Sequence, residues 1–319
     1  MPEDSVRIAV VGATGQVGFP LAQSLTNAGH DVTAISRIRT AQNGRKLDLL
    51  TDAGVSLAFC EDYTDTDAMI EIFQGHDTVV VATRMNTAIA GEVGGHIIDA
   101  AAAAGVTRFV PDEFGTHTLA LEYGCGTLFD VKKKTQERVI ASGMNYTLMF
   151  TGGFFDYFLP NLRLFDRITT FGDLSIQFAT HDISDIAEIS ARSVVDSRTV
   201  NKAVQIHGNV VTQTEVVEIL RDCWPDYGFE YEHVTTEDII YQKEHADPKL
   251  VSAKGGAEPD RERAGINYTI WVLGRLSAPN HENTLNASHL FPDYVYKKPE
   301  DVLCDRNFVF GDKIGRAHV

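Results

Sequence analysis

Basic side chains are scarce in this 319-residue chain: 28 Lys and Arg stand against 44 Asp and Glu, a formal net charge of −16. So acidic a chain argues against nucleic acid as a partner, because a phosphate backbone needs a basic surface to release its counterions. An anionic membrane surface is disfavoured for the same reason. Long apolar runs are missing too. None reaches the roughly 18–20 residues that span a bilayer. The opening MPEDSVRIAVVG passes from a short polar leader straight into a strand pattern, so no signal peptide is expected. Cysteine is sparse. Cys60, Cys125, Cys223 and Cys304 form no C-x-x-C pair, and without a secretion signal they are expected to be reduced and structural. These absences lead to the expectation of a soluble, cytoplasmic chain with neither nucleic acid nor membrane as its partner; a monomer or homodimer is expected. Disorder is excluded as well, since 44% of the residues are hydrophobic and 23% charged, the balance of a globular protein.

The first half alternates strand and helix patterns. Short β-branched runs occur at Arg7–Val11, Asp31–Ser36, Val55–Cys60, Asp77–Thr83, Thr107–Pro111 and Asn145–Phe150. Between them lie stretches of helical spacing such as Thr87–Ala104 and Leu128–Ser142, the former weakened early by Gly91, Gly94 and Gly95. Alternation with short Gly-containing connections predicts an α/β fold, a doubly wound parallel sheet of Rossmann type over residues 1–151. The strands read as continuous apolar runs, as they must when both faces are covered. Residues 152–319 read as a smaller, mostly helical cap or substrate-binding part, with some segments returning to the sheet. The polar stretch Asp247–Gly265 reads as a mobile loop.

The first strand ends in Gly12-Ala13-Thr14-Gly15-Gln16-Val17-Gly18, and a helix pattern follows through Leu21, Ala22 and Leu25. At this spacing the first glycine permits a tight turn and the second lets the backbone approach a pyrophosphate. The third allows helix to pack on strand, while the helix N-terminus supplies N–H donors. A plain tight turn is the alternative, but the place between a first strand and a first helix favours a dinucleotide. The second strand ends at Ser36-Arg37, where selection of NAD would put Asp or Glu; Arg suits a 2′-phosphate instead. Arg37, Arg39, Arg45 and Lys46 fall within ten residues. Either they are a solvated basic turn, or they choose NADP(H) over NAD(H).

Residues Thr127–Gly143 predict a helix with a glycine cap. At about 100° per residue, Leu128, Phe129, Val131, Val139 and Ile140 form an apolar stripe. Lys134 points away from it and Lys133 lies at its edge, but Lys132 falls near its centre. A lysine on that face must snorkel or serve a site, since burying an unpaired ammonium is costly. The Tyr-x-x-x-Lys dyad common in short-chain dehydrogenases is absent here. Its one match, Tyr294–Lys298, lies near the C-terminus out of the expected order and reads as chance.

Together these stretches resemble the isoflavone reductase and phenylcoumaran benzylic ether reductase family, an NmrA-like branch of the atypical short-chain dehydrogenases. The similar segments are VVGATGQVG (10–18), RFVPDEFG (108–115), FDVKKKTQERVIASGMNYTLMFTGGFFDYFL (129–159), HDISDIA (181–187), DSRTVNKAV (196–204) and LFPDYVYKKPEDVL (290–303). The resemblance implies an NADPH-dependent reductase of a small carbonyl-conjugated or aromatic molecule. Gly12, Gly15 and Gly18, with Thr14, Gln16 and Val17, would then hold the pyrophosphate. Arg37, Arg39 and Lys46 would hold the 2′-phosphate, and Ala82 and Thr83 would lie along the cofactor. Lys132 matches the family's catalytic lysine, while Gly152 and Phe154 flank the nicotinamide. Asp112, Gly153, Phe155, Tyr157 and Tyr268 are expected to line the substrate pocket, whose wall the aromatic cluster Phe150, Phe154, Phe155, Tyr157 and Phe158 would form. Two departures stand out. Asp112 replaces the family's usual serine in Pro-Ser-Glu-Phe-Gly, and Gly152-Gly153 replaces Asn-Cys; these changes would recharge or enlarge the pocket. Two other readings stay open: an NADP sensor that turns nothing over, which retention of Lys132 disfavours, and a non-redox isomerase or cyclase.

Overall fold

The computed structural model describes residues 5–83, 89–160, 162, 167–246 and 261–310. Its first half alternates β1 (Arg7–Val11), α1 (Gly18–Asn27), β2 (Asp31–Ser36), α2 (Gly44–Asp52), β3 (Ser56–Phe59), α3 (Thr66–Phe73) and β4 (Thr78–Val81). It continues through α4 (Gly94–Ala103), β5 (Arg108–Val110), α5 (Thr127–Ala141) and β6 (Asn145–Phe150). Strands β1, β2 and β6 coincide with the runs read from sequence; β3, β4 and β5 are trimmed at both ends. The segment expected as one helix over Thr87–Ala104 is wound as a π-helical turn at Ile89–Val93 before α4 begins. Residues 87 and 88 lie outside the described residues.

The second half adds β7 (Gly153–Phe154), α6 (Phe155–Phe158), β8 (Ile168–Phe171), β9 (Phe178–His181), α7 (Ile183–Val195), β10 (Lys202–Gln205), β11 (Val210–Val211) and α8 (Gln213–Cys223). After these come β12 (Tyr231–Val234), α9 (Thr236–His245), α10 (Arg261–Trp271), β13 (Thr284–Asn286), α11 (Ala287–Leu290), α12 (Pro299–Leu303) and α13 (Arg306–Phe310). The main sheet has eight strands in the order β13-β10-β6-β5-β4-β1-β2-β3, and every pair in it is parallel. The chain therefore reverses direction across the sheet between β1 and β4, the place where such folds open a crevice at the carboxyl edge.

Both faces of this sheet are covered, and β1 shows how. Ile8 and Val10 enter one core with Leu21, Ala22 and Leu25 of α1 and Ile186 and Ile189 of α7. Ala9 and Val11 enter the other with Phe73 of α3, Ile97 and Ile98 of α4 and Val139 of α5. Successive side chains of a strand point to opposite faces, so an unbroken apolar run is what two covered faces require. A third core gathers Phe155, Phe178, Leu220, Ile239, Trp271 and Leu303 from the second half. That half is less purely helical than expected, since β7, β9 and β11 form a small sheet and β8 pairs with β12.

Three expectations need correcting. Residues 261–265 of the polar stretch are the first turn of α10, where Gly265 lies so close to α5's start that a Cβ would meet Gly126 Cα at 2.9 Å; residues 247–260 lie outside the described residues. Cys223 and Cys304 are joined in a disulfide, because α12 packs against the end of α8 and Trp224 Nε1 donates to Leu303 O at 3.0 Å. No sequence spacing reveals a pairing across 81 residues. Finally, Ile140 is 51% exposed rather than part of the buried stripe of α5. Among the described residues, no helix is long and apolar enough to cross a membrane.

Candidate active site

The glycine turn sits at the carboxyl end of β1, against the end of β4. Gly12 has φ +81°, and a Cβ there would meet Ala82 O at 2.5 Å. At Gly18 a Cβ would clash with Gly12 O, and at Gly15 it would meet Gly12 O at 3.0 Å and Ala82 O at 3.2 Å. The three glycines are thus needed first by the turn itself. What the turn offers a ligand is the start of α1, which has no side-chain cap and no acidic residue in its first turn. Such a helix end presents N–H donors and positive dipole to an anion. Gln16 ties this turn to α6: its Nε2 donates to Asp156 Oδ2 at 3.0 Å, and Tyr157 Oη donates to Gln16 Oε1 at 2.8 Å.

The basic cluster divides into different roles. Arg37 is exposed at the end of β2 and makes no ion pair among the described residues, while its charge acts on Tyr63, whose hydroxyl burial pushes up to about 12. Arg39 is paired with Asp48 at 2.8 Å. Lys46 reaches back to the glycine turn, donating to Thr14 O at 2.9 Å, and burial lowers its pKa.

Lys132 is buried, 6% exposed, as its place on the apolar stripe demanded. It does not snorkel. Its Nζ donates to the main-chain oxygen of Glu113 at 2.8 Å, bridging α5 to the loop after β5. One turn further along, Gln136 is buried on the same face, and its Nε2 donates to Thr118 Oγ1 at 2.5 Å. The neighbouring lysines behave as controls. Lys133 donates to Leu121 O at 2.7 Å from the edge of the stripe, and Lys134 is exposed.

The loop that receives Lys132 carries two buried carboxyls. Asp112 accepts from Thr83 Oγ1 at 3.1 Å, and Glu113 Oε2 accepts from Thr118 Oγ1 at 2.9 Å. Burial pushes the Asp112 carboxyl up to about 7, with the Lys132 charge pulling it back, and burial raises Glu113 too. Asp112 also lines a cavity of about 20 Å³ with Val81, Thr83, Ile97 and Phe109. Glu113, although part of the RFVPDEFG segment, and Gln136 were not expected as site residues. The i, i+4 spacing of Lys132 and Gln136 on one helix face was the signal that could have found the latter.

The Gly152-Gly153 pair does not enlarge a pocket. Gly152 has φ +68°, and a Cβ there would meet Ala179 O at 2.5 Å; at Gly153 it would clash with the Phe158 ring. Backbone and ring already fill the space that smaller residues were expected to vacate. The pair is held beneath the Asp112 loop, since the N–H groups of Thr151 and Gly152 donate to Gly115 O. Of the aromatic cluster, Phe150 and Phe155 are buried in the core, and Phe158 packs between Phe178 and Trp271. Phe154 is half-buried, its ring centroid 6.1 Å from that of the exposed Tyr157. Tyr268 lies on α10 with Lys243 Nζ 3.8 Å above its ring, and nothing described brings it to Lys132. Tyr294 donates to Asp185 Oδ1 at 2.7 Å, a structural role consistent with a chance dyad.

The sequence profile of the NmrA-like family matches residues 4–252. The chain belongs to the NmrA-like family. Within it, an isoflavone reductase homolog of Nicotiana glauca is 29% identical over 310 residues, covering 91% of this chain and 94% of that protein. Pinoresinol reductase 1 of Arabidopsis thaliana is 26% identical over 326 residues, covering 94% and 96%. Among solved structures, the binary complex of leucoanthocyanidin reductase with NADPH from Vitis vinifera superposes with a TM-score of 0.80 at 19% identity, covering 93% of this chain and 98% of that one. At that identity the likeness speaks for the fold, and it agrees with the doubly wound sheet of this NmrA-like chain.

Proposed function

We propose that this NmrA-like chain is an NADPH-dependent reductase of a small, carbonyl-conjugated or aromatic molecule, with Lys132 as its acid–base group. The observation that carries the reading is the buried Lys132, whose ammonium reaches the main-chain oxygen of Glu113 in the loop after β5, at the carboxyl edge of the sheet. The described residues fit a phosphorylated dinucleotide. Gly12, Gly15 and Gly18, with Thr14, Gln16 and Val17, leave the start of α1 uncapped for a pyrophosphate, and Arg37, exposed after β2 and without an ion pair among the described residues, would meet a 2′-phosphate. Lys46 steadies the turn through Thr14, and Ala82 and Thr83 border it on the β4 side. Arg39, already paired with Asp48, plays the lesser part.

When bound, the reduced nicotinamide supplies the hydride. The chain's own residues orient the acceptor and handle the proton. Lys132 retains N–H donors beyond the one given to Glu113, so it can polarise a carbonyl oxygen or protonate it as charge develops. Phe154, Tyr157 and Gly152 border the same edge, and residues from 152 onward supply the substrate side while residues 1–151 supply the cofactor side. Relatives named for pinoresinol and phenylcoumaran benzylic ethers make phenylpropanoid-type molecules the first to try.

The test is to supply NADPH with pinoresinol, a phenylcoumaran and a simple enone, following loss of the reduced cofactor's near-ultraviolet absorbance against product by mass spectrometry. Stoichiometric loss of NADPH and gain of two hydrogens is the expected result. Product formed without NADPH consumption would make the protein an isomerase. Tight NADPH binding with no turnover of any such molecule would make it a sensor.

A further inference from the structure

Asp112 is an unusual group to find where it is. Its carboxyl is buried at the end of β5, and the hydrogen bonds that reach it come from one residue, the hydroxyl and the main-chain N–H of Thr83. The opposing cation, Lys132, makes no ion pair with it and gives its hydrogen bond to the Glu113 carbonyl oxygen instead. The other groups facing Asp112 are few. Glu113, from its own loop, adds negative charge and is itself buried; α4 contributes only Gly94, Ile97 and Ile98 to the shared cavity. Among the described residues, Asp112 is the one charged residue lining that cavity, whose volume of about 20 Å³ has room for about one water. Contacts lead from this carboxyl to the glycine turn: Asp112 to Thr83, then Ala82, whose oxygen lies against Gly12 and Gly15. A buried, half-satisfied carboxyl next to a ligand cleft is poised to answer a change of charge in that cleft.

We infer that Asp112 is a proton-holding residue of the cofactor site, which keeps its proton while the bound nicotinamide is reduced and gives it up when the ring is oxidised. The inference rests on the reductase reading. An oxidised nicotinamide ring is positively charged and a reduced one is neutral, so only the oxidised form favours a carboxylate nearby. The balance of the step follows. The substrate carbon takes a hydride from the reduced ring, and Lys132 gives one proton to the substrate oxygen. Lys132 regains a proton from solvent, and Asp112 releases its own to solvent when the positive charge of the oxidised ring favours the carboxylate. Water returns a proton to Asp112 once the oxidised cofactor has left. One hydride and one proton are thereby added, and Lys132 and Asp112 end as they began.

The experiment needs no substrate. Calorimetric titration of the whole chain with NADP⁺ and with NADPH, each in two buffers of different ionisation enthalpy, counts the protons released on binding. The 2′-phosphate is common to both cofactors, so its own ionisation cancels in the difference. The expected result near pH 7 is that NADP⁺ releases on the order of half a proton more than NADPH, and that its affinity falls by up to about tenfold per pH unit below that point. Asp112→Asn and Asp112→Ser should each abolish the difference while still binding NADPH. Equal release with the two cofactors, or a difference that survives in both variants, overturns the inference. A difference lost in Lys132→Met but kept in Asp112→Asn would assign the proton to the lysine and overturn it equally. Equal release in a protein that still consumes NADPH refutes Asp112 alone and leaves the reductase reading in place; a difference without turnover of any substrate does the reverse.

Discussion

Lys132 and Arg37 are each one substitution away from a decisive measurement. In Lys132→Met the stem still fills its place on α5, but Glu113 O loses a buried donor. A lysine that merely snorkelled would tolerate the change; here stability should fall by about 1–3 kcal/mol, read by denaturant titration. Turnover should fall further, by roughly 10²–10⁴, with NADPH affinity nearly unchanged, because the proton donor is lost and the cofactor's phosphates are untouched. Lys134→Met, exposed on the same helix, should change neither. For Arg37, the expectation is that NADPH binds at least about tenfold more tightly than NADH, roughly 1.4 kcal/mol. Arg37→Ala should erase most of that preference in a calorimetric comparison, and an unchanged ratio would move the 2′-phosphate contact to Lys46.

At the scale of elements, the glycine turn and the end of β9 at His181 are held by opposite means, close packing in one and hydrogen bonds in the other. Gly12→Ala forces a positive φ on an alanine and drives its Cβ into the Ala82 carbonyl, so it should cost stability as well as NADPH binding. Gly15→Val is the milder perturbation of the fold, its Cβ meeting Gly12 O at 3.0 Å and Ala82 O at 3.2 Å, and if the turn cradles the pyrophosphate it should abolish NADPH binding in a protein that still melts cooperatively. His181, at the end of β9, accepts at Nε2 from the N–H groups of Gly208 and Asn209, which leaves Nδ1 to donate to Thr151 O at 2.9 Å. The ring is therefore neutral, and burial lowers its pKa from 6.5 to about 4. Its contribution to stability is complete above pH 6.5 and is lost as pH falls toward 4, at up to about 1.4 kcal/mol per pH unit. Denaturation midpoints between pH 7.5 and 4.5 should show that slope, flattened in His181→Asn. Much of this was legible in the chain beforehand. Apolar runs located β1 to β6 because strands covered on both faces carry no polar alternation to blur them, and the misplaced charge of Lys132 was visible because helix periodicity is strict. What the glycines at 152 and 153 do was not legible, since it depends on Ala179 and Phe158 arriving from elsewhere.

For the molecule as a whole, the second half is where distant sequence meets. Strands β10 and β13 extend a sheet begun some two hundred residues earlier, and Arg108, buried in β5, fastens that junction by donating to Thr147, Ser193, Asp196 and Thr199. Burial holds its pKa down to about 10, and it stays a cation satisfied by hydroxyls and carbonyls. Such meetings have no periodicity to betray them, which is why the Cys223–Cys304 bond was missed. The bond has a topological result. It makes the chain from 223 to 304 a covalent ring, so a single protease cut anywhere inside it opens the ring without releasing a fragment. Nicked protein should run on a denaturing gel as one full-length band without reductant and as two pieces with it, whereas a cut outside the ring should give two pieces in either case.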